Sequence, residues 1–576
     1  MFSAIFPIEI QSCLNNRLTR ILLLTILAGC QTRSTFDPTS LGKIELPQKE
    51  LPRDLLLFRS TLATQARSEI SETDFRRLAL VPTKDFFEPK QNSFEEITNF
   101  FEKKIPETLY TRSLATAEDL VQPLEEQSKE AVTLILIPGF LSELTPQSMF
   151  PEALDAEASI FAKEVRSRFS KATNQQKNDH RYSLAELGEI DAPLSDLIRA
   201  GSIDVDGKKD AIRVIYLVPS LGSLESVGSM YRLYPIYKRR LDKFFKIMGT
   251  TSNIYISGHS RGAAVALDFL ARVSKDQAAD PWAKEIKGFV SLNGALFGSH
   301  YANAYYNAEK RPHYLYTEFS RLKNLRGGRG VIDSIIDRNT ILSSLNKLGS
   351  EAINRESMKY ENWSIPLPDV IQGTSILRKY YEELRPNSYF ADYERYIQRI
   401  RFLAEATETA IFELTHEERL KWWKSNTLPS EIPYFSFSST MASPMKQKIA
   451  SGYQKALIES PFMGRNVPDY AVIRTLFYDY ASDRGISLND GLIGIHESTF
   501  WPKLHVALNP RQKEYQASSL GVFAAHHLAI GYASVSSGDR SDRNPFPRAA
   551  LLRALSIYLN SQKSLKSGLR PTQIPD

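Results

Sequence analysis

The chain has 576 residues and a formal charge of +6, from 72 Lys and Arg against 66 Asp and Glu. That bias is mild, and no basic tract with interleaved aromatics accompanies it, so no nucleic-acid partner is expected. Its two cysteines, Cys13 and Cys30, lie so early that no downstream disulfide or thiolate metal site is available, which leaves apolar burial to hold a fold of one large domain with insertions or two to three smaller ones.

The first segment, 1–29, reads as an export signal. Arg17 and Arg20 precede an apolar run at 21–27, followed by the small residues Ala28 and Gly29. The run is shorter than the ~20 residues a bilayer span needs. Leu27-Ala28-Gly29-Cys30 resembles a bacterial lipobox, which implies a diacylglycerol on the Cys30 thiol and Cys30 as the mature N-terminus. An ordinary secretory signal is the alternative. Gln31, rather than Asp, follows the cysteine, and by resemblance to enterobacterial sorting this implies the outer membrane of a bacterial cell envelope.

Residues 30–50 are rich in Thr, Ser, Pro and Gln and read as a tether. From 51 to 130 the apolar spacing is mostly helical, and a helical N-terminal extension is expected. Short apolar runs at 131–137, 212–218, 253–257 and 288–292 then read as buried strands, with helical stretches at 231–248 and 263–274. Strand alternating with helix implies an α/β fold: a mostly parallel central sheet with helices on both faces. The first part of that core is assigned to 131–300. Residues 301–429 break the rhythm, being helix-rich and aromatic, and read as a cap inserted above the sheet. A second core part, 430–560, holds a further strand at 434–438 and a helix at 546–559, and a polar tail closes the chain at 561–576.

The chemistry gathers at Gly258-His259-Ser260-Arg261-Gly262. The pentapeptide follows a strand and opens a helix, the context that gives a G-x-S-x-G match meaning. Glycines Gly258 and Gly262 let strand and helix pass closely at a strained turn with Ser260 at its tip as nucleophile. The Arg261 N–H, at the helix N-terminus, is aimed where an oxyanion forms. His259 is expected to pack beneath the turn rather than to act as the base.

With these residues the chain resembles the α/β-hydrolases, and more narrowly the bacterial true lipases. Pro138-Gly139-Phe140 stands where those lipases have His-Gly and an apolar residue, which implies the Phe140 N–H as second oxyanion donor. Gly298-Ser299 matches the end of another of their strands, and 433–438 is similar to a third. Asn489-Asp490-Gly491-Leu492-Ile493 resembles their Asn-Asp-Gly-Leu-Val, which carries the triad acid, and His526-His527-Leu528-Ala529 stands where they have Asn-His-Leu-Asp with the triad histidine. The resemblance thus implies Asp490 and His527. Asp469, Asp479 and Asp483 remain rivals for the acid, and His526 for the base. His180 and His416, in charged helical surroundings, read as solvated. His300 and His313 border the insertion, and His496 and His505 are candidates to line the cleft.

The expected reaction is carboxylic-ester hydrolysis on an acyl-ester or lipid substrate by a Ser-Asp-His triad, without cofactor or metal. Those lipases often bind calcium through the Asp after His-Leu, and Ala529 occupies that position here. An acyltransferase or thioesterase uses the same triad. A hydrolase-fold envelope protein that binds without turnover is the alternative from another class. The sequence leaves the oligomeric state unknown.

Overall fold

The computed structural model describes residues 53–71, 74–75, 78–82, 110–112, 130–140, 142, 149–175, 194–219, 226, 228–276, 281–300, 302–303, 410–440, 489–532 and 546–562. The expected signal and tether, the polar tail except 561–562, and all of the cap except 302–303 and 410–429, lie outside these residues.

The described strands form one nine-stranded sheet. In chain order they are β1 (Ala79–Pro82), β2 (Tyr110–Arg112), β3 (Val132–Ile137), β4 (Ile198–Val205), β5 (Lys208–Leu217), β6 (Ile254–His259), β7 (Ile286–Leu292), β8 (Tyr434–Thr440) and β9 (Ala517–Ala524). Their spatial order is β2-β1-β9-β8-β7-β6-β3-β5-β4. From β5 to β9 neighbours run parallel, while β4 adds antiparallel at one edge and β1 with β2 at the other. This is the α/β-hydrolase fold.

The continuous apolar run of β3 is what a strand covered on both faces requires, and every residue of it is buried. Its side chains alternate between two cores, as a period of two dictates. Ile135 and Ile137 join Ile254 and Ile256 beneath helices α3 (Ile160–Gln175), α5 (Met230–Met248) and α6 (Arg261–Val273). Val132, Leu134 and Leu136 face the other way, toward Phe58 and Leu62 of α1 (Arg53–Ala66) and Leu551, Leu555 and Tyr558 of α10 (Arg548–Ser561). Each fully buried side chain of this size stabilises the fold by about 1.5–3 kcal/mol relative to exposure. Between these helices in sequence lie the short α2 (Pro151–Leu154), α4 (Leu194–Leu197), α7 (His416–Ser425), α8 (Ile495–Ser498) and α9 (Pro502–Leu508).

Three differences from the sequence reading concern the sheet. The described part of 51–130 holds two strands besides its helical residues, so this extension widens the sheet as well as packing on it. A hairpin joins β4 to β5 through Asp206 and Gly207, whose φ values of 46° and 81° suit the two-residue turn that matches strand twist. Finally, β9 follows the Asn-Asp-Gly turn, so 434–438 is not the last strand. The acid loop leaves the sheet after β8, and the histidines follow directly from the carboxyl end of β9.

Residues 410–429, expected as the end of the cap, pack on the core. Trp423 stacks on Phe297 with ring centroids 4.6 Å apart, and its Nε1–H donates to the Leu296 oxygen at 2.9 Å.

Candidate active site

β6 ends at His259 and α6 begins at Arg261, leaving Ser260 alone to make the turn. Its backbone lies at φ 56° and ψ −130°, a conformation that costs a non-glycine residue about 1–3 kcal/mol. The surroundings hold it there. The Ser260 N–H donates to the Leu292 oxygen at 3.2 Å, and the Ser260 oxygen accepts from Ala263 and Ala295 N–H, both at 3.1 Å. The flanking glycines are needed for close approach. A Cβ on Gly258 would lie 2.2 Å from the Gly262 oxygen, and one on Gly262 would lie 2.3 Å from the Pro138 oxygen.

The same packing brings the end of β3 against the serine. A Cβ on Gly139 would stand 3.2 Å from the Ser260 Cβ and 3.1 Å from the His259 oxygen. The Ser142 hydroxyl donates to the Gly139 oxygen at 2.9 Å and fixes this loop, with Phe140 partly buried between them in sequence. The Arg261 N–H belongs to the first turn of α6, whose N–H groups lack intrahelical acceptors.

Asp490 sits in a tight turn that satisfies most of its carboxylate. Oδ1 accepts from the Leu492 and Ile493 N–H groups at 3.0 and 2.8 Å, and the Asp490 N–H returns a bond to the Ile493 oxygen. Gly491, at φ 99°, makes that turn possible. The remaining oxygen, Oδ2, lies 2.6 Å from His527 Nδ1. Both side chains are almost wholly buried, and among the described residues His527 Nε2 has no hydrogen-bond partner.

His527 is also tied to the elbow. Its main-chain oxygen accepts from His259 Nε2 and Asn293 Nδ2, each at 3.0 Å, and the two imidazole centroids are 4.8 Å apart. Burial, reinforced by neighbouring His527, pushes His259 down to about 3, while its bond to the His527 oxygen opposes that shift. His259 is therefore a neutral packing residue whose Nε2 carries the proton. His526, in contrast, accepts the Leu528 N–H on its own Nδ1 at 3.2 Å. Of the two histidines it is His527 that meets Asp490.

His416 departs from expectation. Rather than being solvated, it is buried, with Nε2 2.5 Å from Glu497 Oε1. His300 Nδ1 lies 3.0 Å from the other oxygen of the same carboxylate. Glu497 is held well below the usual carboxylate range by His300 and His416, against the opposing effect of its burial. His505 does not line a cleft: its Nε2–H donates to the Asn426 oxygen at 3.0 Å, its ring lies edge-on to Trp423, and burial pushes it down to about 4. His496 is buried and its main-chain oxygen accepts Trp501 Nε1–H at 2.8 Å. Asp469, Asp479, Asp483, His180, His313 and Cys30 lie outside the described residues.

Sequence reasoning missed Asn293, Glu413 and Glu497. A carboxylate set among Ile493, Ile495, Phe500 and Trp501 was the available sign for Glu497, since such a run buries whatever it contains. Among the described residues no group of three or more His, Cys, Asp or Glu side chains is arranged to hold a metal ion.

No family model matches the sequence, and no curated protein matches it. Solved structures do. A metagenomic carboxyl esterase, MGS0156, is 15% identical over 91% of this chain and 98% of its own, with a TM-score of 0.37. The lipase of Staphylococcus hyicus is 11% identical over 76% and 97%, with a TM-score of 0.29. EstA of Clostridium botulinum is 11% identical over 82% and 96%, with a TM-score of 0.28. The fold class rests on the strand order and on the turn after β6.

Proposed function

We propose that the protein is a serine hydrolase of carboxylic esters, lipid-anchored in a bacterial envelope through Cys30. The observation that carries the hydrolase reading is the Asp490–His527 pair, 2.6 Å long and buried, with the far imidazole nitrogen left without a partner among the described residues. An imidazole oriented in this way is the general-base half of a Ser-His-Asp triad. Two further features support it: a strained serine at the end of β6, which runs parallel to β9 in the same sheet, and a His259 bond that joins the ends of those two strands.

Ser260 Oγ attacks the ester carbonyl while His527 Nε2 accepts its proton. Asp490 holds the tautomer with the proton on Nδ1 and stabilises the imidazolium that forms. The N–H groups of Arg261 and Phe140 receive the oxyanion, where preorganised donors matter most. The imidazolium then protonates the departing alcohol, and water, activated by the same nitrogen, releases the acid from Ser260.

The anchoring part of the proposal is supported by Leu27-Ala28-Gly29-Cys30 alone. The catalytic part is tested with a fluorophosphonate probe followed by peptide mapping. Labelling at Ser260 that disappears in Ser260→Ala and in His527→Ala is expected. A folded wild-type protein that takes no label and cleaves no p-nitrophenyl ester sinks the assignment and leaves a fold that binds without turnover.

A further inference from the structure

Arg261 follows the nucleophile, and its side chain is almost completely buried. A buried guanidinium needs acceptors and a counter-charge. Nη1–H donates to the Ser226 oxygen at 2.6 Å, while Nη2–H donates to the Gly228 oxygen at 2.5 Å and to Glu413 Oε2 at 2.9 Å. Glu413 is the carboxylate that pairs with it directly, and it does more than neutralise. Its Oε1 accepts the Ser229 hydroxyl at 2.7 Å, and both oxygens accept the Met230 N–H at 3.1 Å. Met230 is the first residue of α5, so the carboxylate also closes the positive end of that helix.

A second buried arginine raises the stakes. Arg419 is pushed down to about 10, mainly by burial, with Arg261 adding a repulsive contribution that Asp268 and Glu413 oppose. Asp268 is already engaged, accepting from Trp422 Nε1 at 2.8 Å and Arg272 Nε at 2.7 Å. Without Glu413, Arg261 is left as an uncompensated buried cation beside another.

We propose that Glu413 is a positioning residue: by pinning the Arg261 side chain it fixes the Arg261 N–H, the first oxyanion donor, and joins that donor to the returning end of the 301–429 insertion. The inference rests on the serine-hydrolase reading. The donor and the guanidinium belong to one residue at the start of α6, so a side chain released toward solvent drags the first turn with it. An oxyanion donor serves the transition state more than the bound ester. Its misplacement therefore lowers kcat and leaves KM nearly alone.

The experiment compares wild type, Glu413→Gln and Glu413→Asp in p-nitrophenyl butyrate hydrolysis and in inhibition by a trifluoromethyl ketone, whose adduct carries an oxyanion. Removal of a whole oxyanion donor costs roughly 10²–10³-fold in kcat. For Glu413→Gln a loss of about 10-fold or more in kcat is expected, with KM within about two-fold and a parallel loss of ketone affinity. Glu413→Asp, which keeps the charge, recovers part of both. If Glu413→Gln does not fold, Ser229→Ala loosens the same carboxylate, and a smaller kcat loss at constant KM is expected. Unchanged kcat and ketone affinity in the folded variant overturn the proposal, as does a loss of activity that follows thermal stability alone. Fluorophosphonate labelling of wild-type Ser260 separates the two levels. A labelled wild type with an indifferent Glu413→Gln sinks the positioning role only, whereas an unlabelled wild type sinks the hydrolase reading and this inference with it.

Discussion

His259 Nε2–H donates to the main-chain oxygen of His527 at 3.0 Å. The residue before Ser260, the proposed nucleophile, thus holds His527, the proposed base, across the ends of β6 and β9. The bond requires a proton on Nε2, and burial keeps the ring in the neutral form that carries it there. Four expectations are measurable, and the first is a consequence of this burial chemistry.

The first is acid sensitivity. His259 falls from an ordinary 6.5 to about 3 on folding, and His505 from 6.5 to about 4. Between these limits the unfolded chain binds protons that the folded chain refuses. Their contribution to stability is therefore complete above pH 6.5 and is lost as pH falls toward 4 and 3. Each group contributes a slope of up to about 1.4 kcal/mol per pH unit. Glu497, depressed in the fold, adds loss of the same sign only below its ordinary 4.5. Urea midpoints measured from pH 7 to 4.5 are expected to fall steeply in wild type and less so in His259→Gln and His505→Gln. Curves parallel to wild type in both variants contradict these shifts.

A second prediction separates two glycines near the serine. A Cβ on Gly262 meets the main-chain oxygens of Pro138 and Ile137 at 2.3 and 2.4 Å, which no rotamer change relieves. Gly262→Ala is expected to lose more than about 3 kcal/mol or fail to accumulate as folded protein. A Cβ on Gly139 meets the Ser260 Cβ at 3.2 Å, a contact that a few tenths of an ångström ease. Gly139→Ala is expected to fold and to lose kcat through displacement of the nucleophile. Equal thermal stability of the two variants counts against this packing.

Strain at Ser260 gives a third. Ser260→Ala and Ser260→Gly are both expected to lose ester hydrolysis by roughly 10³-fold or more. Alanine keeps the strain at φ 56°, and glycine relieves it. Relief of about 1–3 kcal/mol exceeds the entropic cost of glycine, about 0.5–1 kcal/mol. Ser260→Gly should therefore be the more stable by about 1 kcal/mol in urea titration, and the opposite order contradicts the strained elbow.

The anchor yields a fourth. Cys30→Ser is expected to abolish lipid attachment and to leave either full-length precursor or a soluble product. Mass spectrometry of the wild-type N-terminus decides the matter: an unacylated residue there, or a mature start other than Cys30, removes the lipoprotein reading.

The legible parts of this protein are those whose cause is local. β3, β5, β6 and β7 were readable because strands buried on both faces are continuous apolar runs, and the elbow because its glycines and serine are adjacent. β9 was not, since Ala517-Ser518-Ser519 opens it with small and polar residues that only neighbouring β8 explains. β4 is an edge strand with no clear alternation, but the Asp206-Gly207 turn that follows it was a usable sign left unread. Asp490 and His527 came from a resemblance. Glu413 had no sign nearby and the apolar run around Glu497 gave its burial but not its partner, because Arg261 and His300 are 152 and 197 positions away. His416 was misread for the same reason: its charged sequence neighbours say nothing of a carboxylate that arrives from α8.

The packing of α1 on α10 bears on the order in which the chain takes shape. Arg553, on α10, pairs with Glu69 and lies 484 positions from it. Synthesis at 5–20 residues per second puts roughly 25–100 s between the two partners. Through that interval Phe58 and Leu62 lack the Tyr558 and Leu555 surface they bury against, and β1 has β2 but lacks β9, the strand that joins it to the rest of the sheet. Until α10 and β9 are made, the early half therefore exposes apolar surface and an open strand edge, and a nonsense mutation before Arg548 removes the surface that α1 buries against instead of trimming a tail.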